Sequence, residues 1–139
     1  MKEFEAVEVT CSEALEWEIV QVTFDSKFDT PERGELDFEW NFPMVTVSVN
    51  FEFSSIPKVE WNDGAACGGG GIKQVRLTRD SIFLKTEDEE AFSILFKLSD
   101  EKYHELTEYM KIIFRSTSTL ELTQTSANQS EQDNPITRP

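Results

Sequence analysis

Apolar and polar residues alternate through most of the first hundred positions. This period of two favours β-strands, because successive strand side chains point to opposite faces of a sheet. The cleanest run extends from Val45 to Phe53, where Val and Phe occupy every second position and Thr, Ser, Asn and Glu stand between them. β-Branched and aromatic residues on one face and polar residues on the other are typical of a half-buried strand. The run therefore predicts a strand packed on a core.

Similar patterns predict further strands at 4–9, 15–24, 36–42, 59–61, 72–77, 82–84 and 91–98. Within 15–24 the alternation changes phase at Ile19-Val20, which indicates either a bulge or a strand buried on both faces. Residues 78–81 predict a tight hairpin turn, and Asn62-Asp63-Gly64 opens another turn.

After residue 98 the spacing of apolar residues changes to that of a helix. The apolar stripe consists of Tyr103, Leu106, Met110, Ile113 and Phe114. Ser99 is a favourable N-cap and acidic residues follow it, so we expect a helix from about 100 to 115. The sequence thus predicts an α+β domain over residues 1–116: a largely antiparallel sheet of seven or eight strands with one C-terminal helix packed on it. Residues 117–139 are predicted to form a polar, disordered tail, in which Leu120-Glu121-Leu122 is a candidate edge strand.

The chain is strongly acidic. Among its 139 residues are 27 Asp or Glu and 13 Lys or Arg, which gives a formal net charge of -14. Nucleic acids and anionic membrane surfaces attract basic proteins, so neither is an expected partner. No apolar stretch is long enough to span a membrane, and residues 1–5 do not form a secretory signal. We expect a cytoplasmic protein.

The residues that carry most catalytic and metal chemistry are scarce. Cys11 and Cys67 are far apart in the sequence, and His104 is the only histidine. We expect two reduced thiols, although one disulfide stays open, and neither a metal site nor a cofactor site is predicted. A nucleophilic enzyme would have to combine a cysteine, such as Cys67, with His104. A surface position for His104 is favoured, and no catalytic residues are predicted.

Two further segments are more typical of structure than of chemistry. The glycine run 68–71 leads into a strand pattern with Lys73, whereas a phosphate loop leads into a helix. A flexible or bulged connection where backbones approach closely is therefore favoured. The acidic segment 87–90 lacks the pattern of a calcium loop, and we interpret it as a solvated loop.

The acidic residues are concentrated near the start of the chain. Residues 1–63 hold 15 acidic and four basic residues. Alternation predicts that Glu16 and Glu18 share one side of a strand, and that Asp37 and Glu39 do the same. Such a surface serves solubility or steers a basic partner. The candidate partner-binding residues are these four carboxylates, with Trp40 or Trp61 as an aromatic anchor if either is exposed.

One part of the chain has a recognisable order of segments. A glycine-rich turn leads into Gly71-Ile72-Lys73-Gln74-Val75-Arg76-Leu77-Thr78-Arg79-Asp80-Ser81-Ile82, and Phe96-Lys97-Leu98 and the helical segment 101–114 follow. In these residues the chain resembles the bacterial immunity protein 10 family. Residues 4–9 and Phe24-Asp25 are also similar. The resemblance implies a non-catalytic protein that binds and neutralises a cognate bacterial toxin. The alternative is a small acidic accessory module of unknown partner, whose acidity serves solubility only.

Overall fold

A computed structural model describes residues 2–26 and 43–123, which contain nine strands and one helix. The strands are β1 (Lys2–Glu5), β2 (Glu8–Ala14), β3 (Ile19–Asp25), β4 (Met44–Asn50), β5 (Lys58–Asn62), β6 (Cys67–Leu77), β7 (Ser81–Thr86), β8 (Ala91–Leu95) and β9 (Leu120–Leu122), and the helix α1 is Asp100–Ile113. The strand predicted at 36–42 lies outside these residues, as does most of the predicted tail.

The strands form one mixed sheet in the order β1-β8-β7-β6-β5-β4-β3-β2, and β9 pairs with β6. Pairing is antiparallel except between β1 and β8 and between β6 and β9. A largely antiparallel α+β fold is therefore confirmed. The predicted strand number of seven or eight is too low, because residues 2–14 form two strands and Leu120–Leu122, inside the predicted tail, forms β9.

Two stretches of the chain change pairing partners and make the sheet curl. The first half of β6 pairs with β5, and its second half pairs with β7. Between β1 and β2, the Ala6 amide donates to Leu95 O at 2.8 Å and the Val7 amide donates to Asp25 O at 2.8 Å. The first bond continues the β1–β8 pairing and the second continues the β2–β3 pairing. Residues 6 and 7 therefore connect the first strand of the sheet order to the last, and the sheet wraps around its core.

The core follows the alternation of the strands. Along β3 and β4, Val20, Val22, Val45 and Val47 are buried, and the residues between them are less so. On the outer face, the hydroxyls of Thr23 and Thr46 lie 2.9 Å apart and hydrogen-bond. This arrangement confirms a half-buried strand at the start of the predicted run 45–53, since β4 is Met44–Asn50.

The helix begins where the sequence predicts and contacts β3 and β2. Ser99 Oγ accepts a hydrogen bond from the Lys102 amide at 3.1 Å, which satisfies one of the free amides of the first turn. Leu106, Met110 and Ile113 are buried against the sheet. Burial of side chains of this size contributes about 1.5–3 kcal/mol each. This helix is neither long nor apolar enough to cross a membrane, and the described residues contain no other.

Four predicted elements differ from the structure. The predicted strand 91–98 ends at Leu95, the last residue of β8. Residues 15–18 form a turn and not a strand, because Ala14 pairs with Ile19 and closes a hairpin. The phase change at Ile19-Val20 is therefore close to the beginning of β3. The predicted strand 45–53 ends at Asn50, and the glycines at 68–71 belong to β6 and are not a flexible connection. The predicted irregularity lies just beyond them, where the register with β7 shifts between Ile72 and Gln74.

Candidate functional site

Two turns meet at one end of the β3–β4 pair. Ile19 is paired with Asn50, so the turn that precedes Ile19 and the turn that follows Asn50 lie side by side. The Phe51 amide donates to Glu18 O at 2.7 Å and joins the two turns directly. The β2–β3 turn and the β4–β5 loop therefore form one continuous surface.

This surface exposes large apolar side chains, which soluble proteins rarely gather in one patch without a binding role. We call Leu15, Trp17, Phe53 and Ile56 the apolar tip. Their exposed fractions are 61% for Leu15, 45% for Trp17, 80% for Phe53 and 61% for Ile56. Two of these residues come from each turn, so the apolar tip depends on the β3–β4 register.

Side chains at the C-terminal end of the helix and just beyond it contact both turns. The ring centroids of Trp17 and Tyr109 lie 5.4 Å apart. The guanidinium of Arg115 lies 4.0 Å from the centroid of the Phe51 ring, a cation–π contact. Burial, together with nearby Cys11, Glu105 and Glu13, raises the pKa of Tyr109. The helix thus connects the apolar tip to the core.

Four carboxylates lie on the same two turns or beside them. Glu13, Glu16, Glu18 and Glu52 are all exposed. None of them takes part in the ion pairs formed among residues 2–26 and 43–123. The cations near these turns include Arg115, which contacts Phe51, and Lys102, which lies near Tyr109. The edge of the apolar tip is therefore predominantly negative.

The backbone of the β2–β3 turn adopts an unusual conformation. Leu15, Glu16 and Trp17 have φ angles of 53°, 54° and 72°. This left-handed region is sterically unfavourable for residues that carry a Cβ, and it costs about 1–2 kcal/mol per residue. The turn is closed by the Glu18 amide, which donates to Leu15 O at 3.1 Å. The conformation moves Trp17 out of the strand pattern and into solvent.

Of the six predicted site residues, the structure describes three: Glu16, Glu18 and Trp61. Glu16 and Glu18 lie together, but on a turn and not on one side of a strand. Asp37, Glu39 and Trp40 lie outside the described residues. A role in partner binding stays a prediction for all five.

Trp61, the other predicted aromatic anchor, is half-buried at the opposite end of the sheet. Its ring lies 5.7 Å from that of Phe92, and the Lys2 ammonium lies 5.0 Å above it. Trp61 also lines an apolar cavity of about 210 Å³, together with Phe4 and Met44. Much of its surface is already engaged within the fold, so only part of the ring is open to a partner.

The residues considered for chemistry lie on separate elements. Cys67 is exposed at the start of β6, and His104 is exposed on α1. Cys11 is half-buried, and burial raises the pKa of its thiol to about 11. In the part of the chain that the structure covers, no three His, Cys, Asp or Glu side chains are grouped so as to hold a metal ion.

Comparisons with protein-family models, curated proteins and solved structures returned no match. The resemblance to the immunity protein 10 family therefore rests on the residues quoted above.

Sequence reasoning missed the apolar tip because it assigned Leu15, Trp17 and Phe53 to strand interiors. Leu15 and Trp17 are in phase with Ile19, and Phe53 continues the alternation of β4, but all three lie beyond the residues that pair. One signal was present in the sequence: the phase change at Ile19-Val20 marks the boundary between turn and strand.

Proposed function

We propose that this protein is a non-catalytic immunity protein, which binds a cognate bacterial toxin through an acidic surface and neutralises it. The proposal combines the resemblance to the immunity protein 10 family with the placement of the carboxylates. An acidic inhibitor suits a toxin with a basic active-site cleft, because opposite potentials steer the two proteins together.

The observation that carries the proposal is the group of exposed carboxylates, Glu13, Glu16, Glu18 and Glu52, for which the described residues provide no ion-pair partner. Five carboxylates in the second half of the chain do form ion pairs: Glu89, Asp100, Glu105, Glu108 and Glu121. Glu89, for example, pairs with Lys73 at 2.9 Å and with Lys85 at 3.0 Å. Negative charge that is not compensated within the fold is available to a basic partner.

Co-purification tests this function. The proposal predicts that a neighbouring gene encodes a toxin, and the absence of such a gene would count against it. The toxin domain of that gene is expressed with a tag, and the full chain is expressed without one. We expect a stable one-to-one complex in which the toxin activity is suppressed in proportion to the complex formed. A chain that neither co-purifies with the toxin domain nor suppresses its activity would contradict the proposal and favour an accessory module whose acidity serves solubility.

A further inference from the structure

We propose that the apolar tip is the anchor of the complex, which inserts into an apolar recess of the partner protein whose rim carries Lys and Arg. This inference rests on the proposed function, since it assumes that the bound partner is a protein. It adds the chemistry of the contact: Leu15, Trp17, Phe53 and Ile56 enter the recess, and the four carboxylates meet its basic rim.

The side chains of the apolar tip are exposed to solvent in the free protein. Phe53 is 80% exposed and Ile56 is 61% exposed, so a partner that covers them removes apolar surface from water. A few aromatic residues often dominate the binding energy of an interface, and Trp is the most enriched among them. Trp17 is the one exposed Trp of the described residues, and its neighbours in the sequence are the exposed carboxylates Glu16 and Glu18.

Hydrogen bonds and a ring contact hold the two turns of the apolar tip in place before binding. The amides of Phe53 and Ser54 both donate to Asn50 O at 3.0 Å, and the Glu52 amide donates to Asn50 Oδ1 at 3.1 Å. The contact between Trp17 and Tyr109 holds the other turn. A preorganised surface loses less conformational entropy on binding, which improves affinity.

Charge complementarity identifies the occupant. A second copy of this chain, docked through the same surface about a two-fold axis, would bring the carboxylates of both copies together. An anionic lipid surface would be repelled by them in the same way. A recess surrounded by Lys and Arg gives each carboxylate a counter-ion as it loses water, so a basic protein is the occupant that this surface favours.

Affinity measurements on apolar-tip variants test the inference. The probe is the toxin domain that the proposed function predicts beside this gene, and the variants are Trp17→Ala and Phe53→Ala in the full chain. We expect each to raise the Kd by at least about tenfold. Phe53 is so exposed that its truncation leaves folding intact, whereas Trp17→Ala also removes the contact with Tyr109. Leu95→Ala is the matched control, because it removes an exposed apolar side chain from β8 and should change the Kd less than twofold.

The binding results distinguish a failure of the proposed function from a failure of the proposed anchor. If the unmodified chain does not bind the toxin domain, the proposed function is wrong and the anchor is wrong with it. If it binds and both variants bind as tightly as the unmodified chain, the function stands and the anchor is overturned. A further result would be that the unmodified chain self-associates or sediments with phosphatidylcholine vesicles. If either behaviour disappeared in both variants, the anchor would also be overturned, because the apolar tip would then bind a second copy or a lipid surface.

Discussion

Trp61 lies against Gly68 across the β5–β6 pair, so closely that a Cβ added to Gly68 would stand 2.9 Å from Cζ2 of the indole. Gly69 is equally restricted, since a Cβ there would stand 2.8 Å from Val59 O. Close packing along β6 therefore requires glycine at positions 68 and 69. The sequence indicated close backbone approach at these positions, although it did not indicate a strand.

Substitution of Gly68 by Ala should destabilise the fold. Overpacking of this kind costs about 1–3 kcal/mol, and the rigid indole cannot move aside without disturbing Phe92. The free energy of unfolding, measured by urea denaturation, should fall by that amount. In a Trp61→Leu background the same substitution should cost less, because the obstructing ring is gone. An equal cost in both backgrounds would show that Trp61 is not the reason for the glycine.

Replacement of Glu16 should relieve strain in the β2–β3 turn. Its φ of 54° is tolerated better by Asn and Asp than by Glu. Glu16→Asn and Glu16→Asp should each raise the free energy of unfolding, by up to about 1 kcal/mol. The pair also separates conformation from charge, since only the Asp variant keeps a carboxylate. Lower stability in both variants would show that the turn does not hold position 16 in the left-handed region.

The N-cap of the helix should contribute measurably to stability. Ser99→Ala removes the acceptor for the Lys102 amide and should cost about 1 kcal/mol in thermal or urea unfolding. Ser99→Asp keeps an acceptor and should behave like the unmodified chain. If the Ala variant were as stable as the Asp variant, the cap would be irrelevant to this helix.

The two thiols should react at very different rates. Because the thiolate is the reactive form, a pKa of about 11 leaves roughly one Cys11 side chain in a thousand ionised at pH 8. Labelling with iodoacetamide at that pH should therefore modify exposed Cys67 first. The reactivity of Cys11 should rise with pH up to its pKa. Cys67→Ser should abolish the fast phase, and denaturant should make both thiols of the unmodified chain react. A fast phase that survives in Cys67→Ser would contradict the burial of Cys11.

Much of the fold was predictable because it follows local patterns. Alternation located β4, β5 and β7, and the change to helical spacing located α1 with its cap at Ser99. Long-range pairing was not predictable in this way. Nothing local indicates that β6 divides its length between β5 and β7, or that Ala6 and Val7 join the two ends of the sheet.

The candidate site was predictable only in its charge. Glu16 and Glu18 were identified from the excess of acidic residues, which is a property of composition. The exposure of Trp17 depends on where pairing stops, at Ala14 and Ile19, and the alternation marks that point only by its phase change at Ile19-Val20. A pattern that reports which face a residue occupies cannot report whether its strand has ended.

The central claim is that the carboxylates of this surface guide a basic partner protein to it. The most direct measurement is the association rate constant with the toxin domain as a function of salt concentration. The double variant Glu16→Lys/Glu18→Lys should slow association at low salt by about tenfold or more and flatten its salt dependence. Glu3→Lys/Glu5→Lys makes the same change in net charge on β1 and should have a much smaller effect. Equal rates for the two double variants, or rates unchanged from the unmodified chain, would contradict the claim.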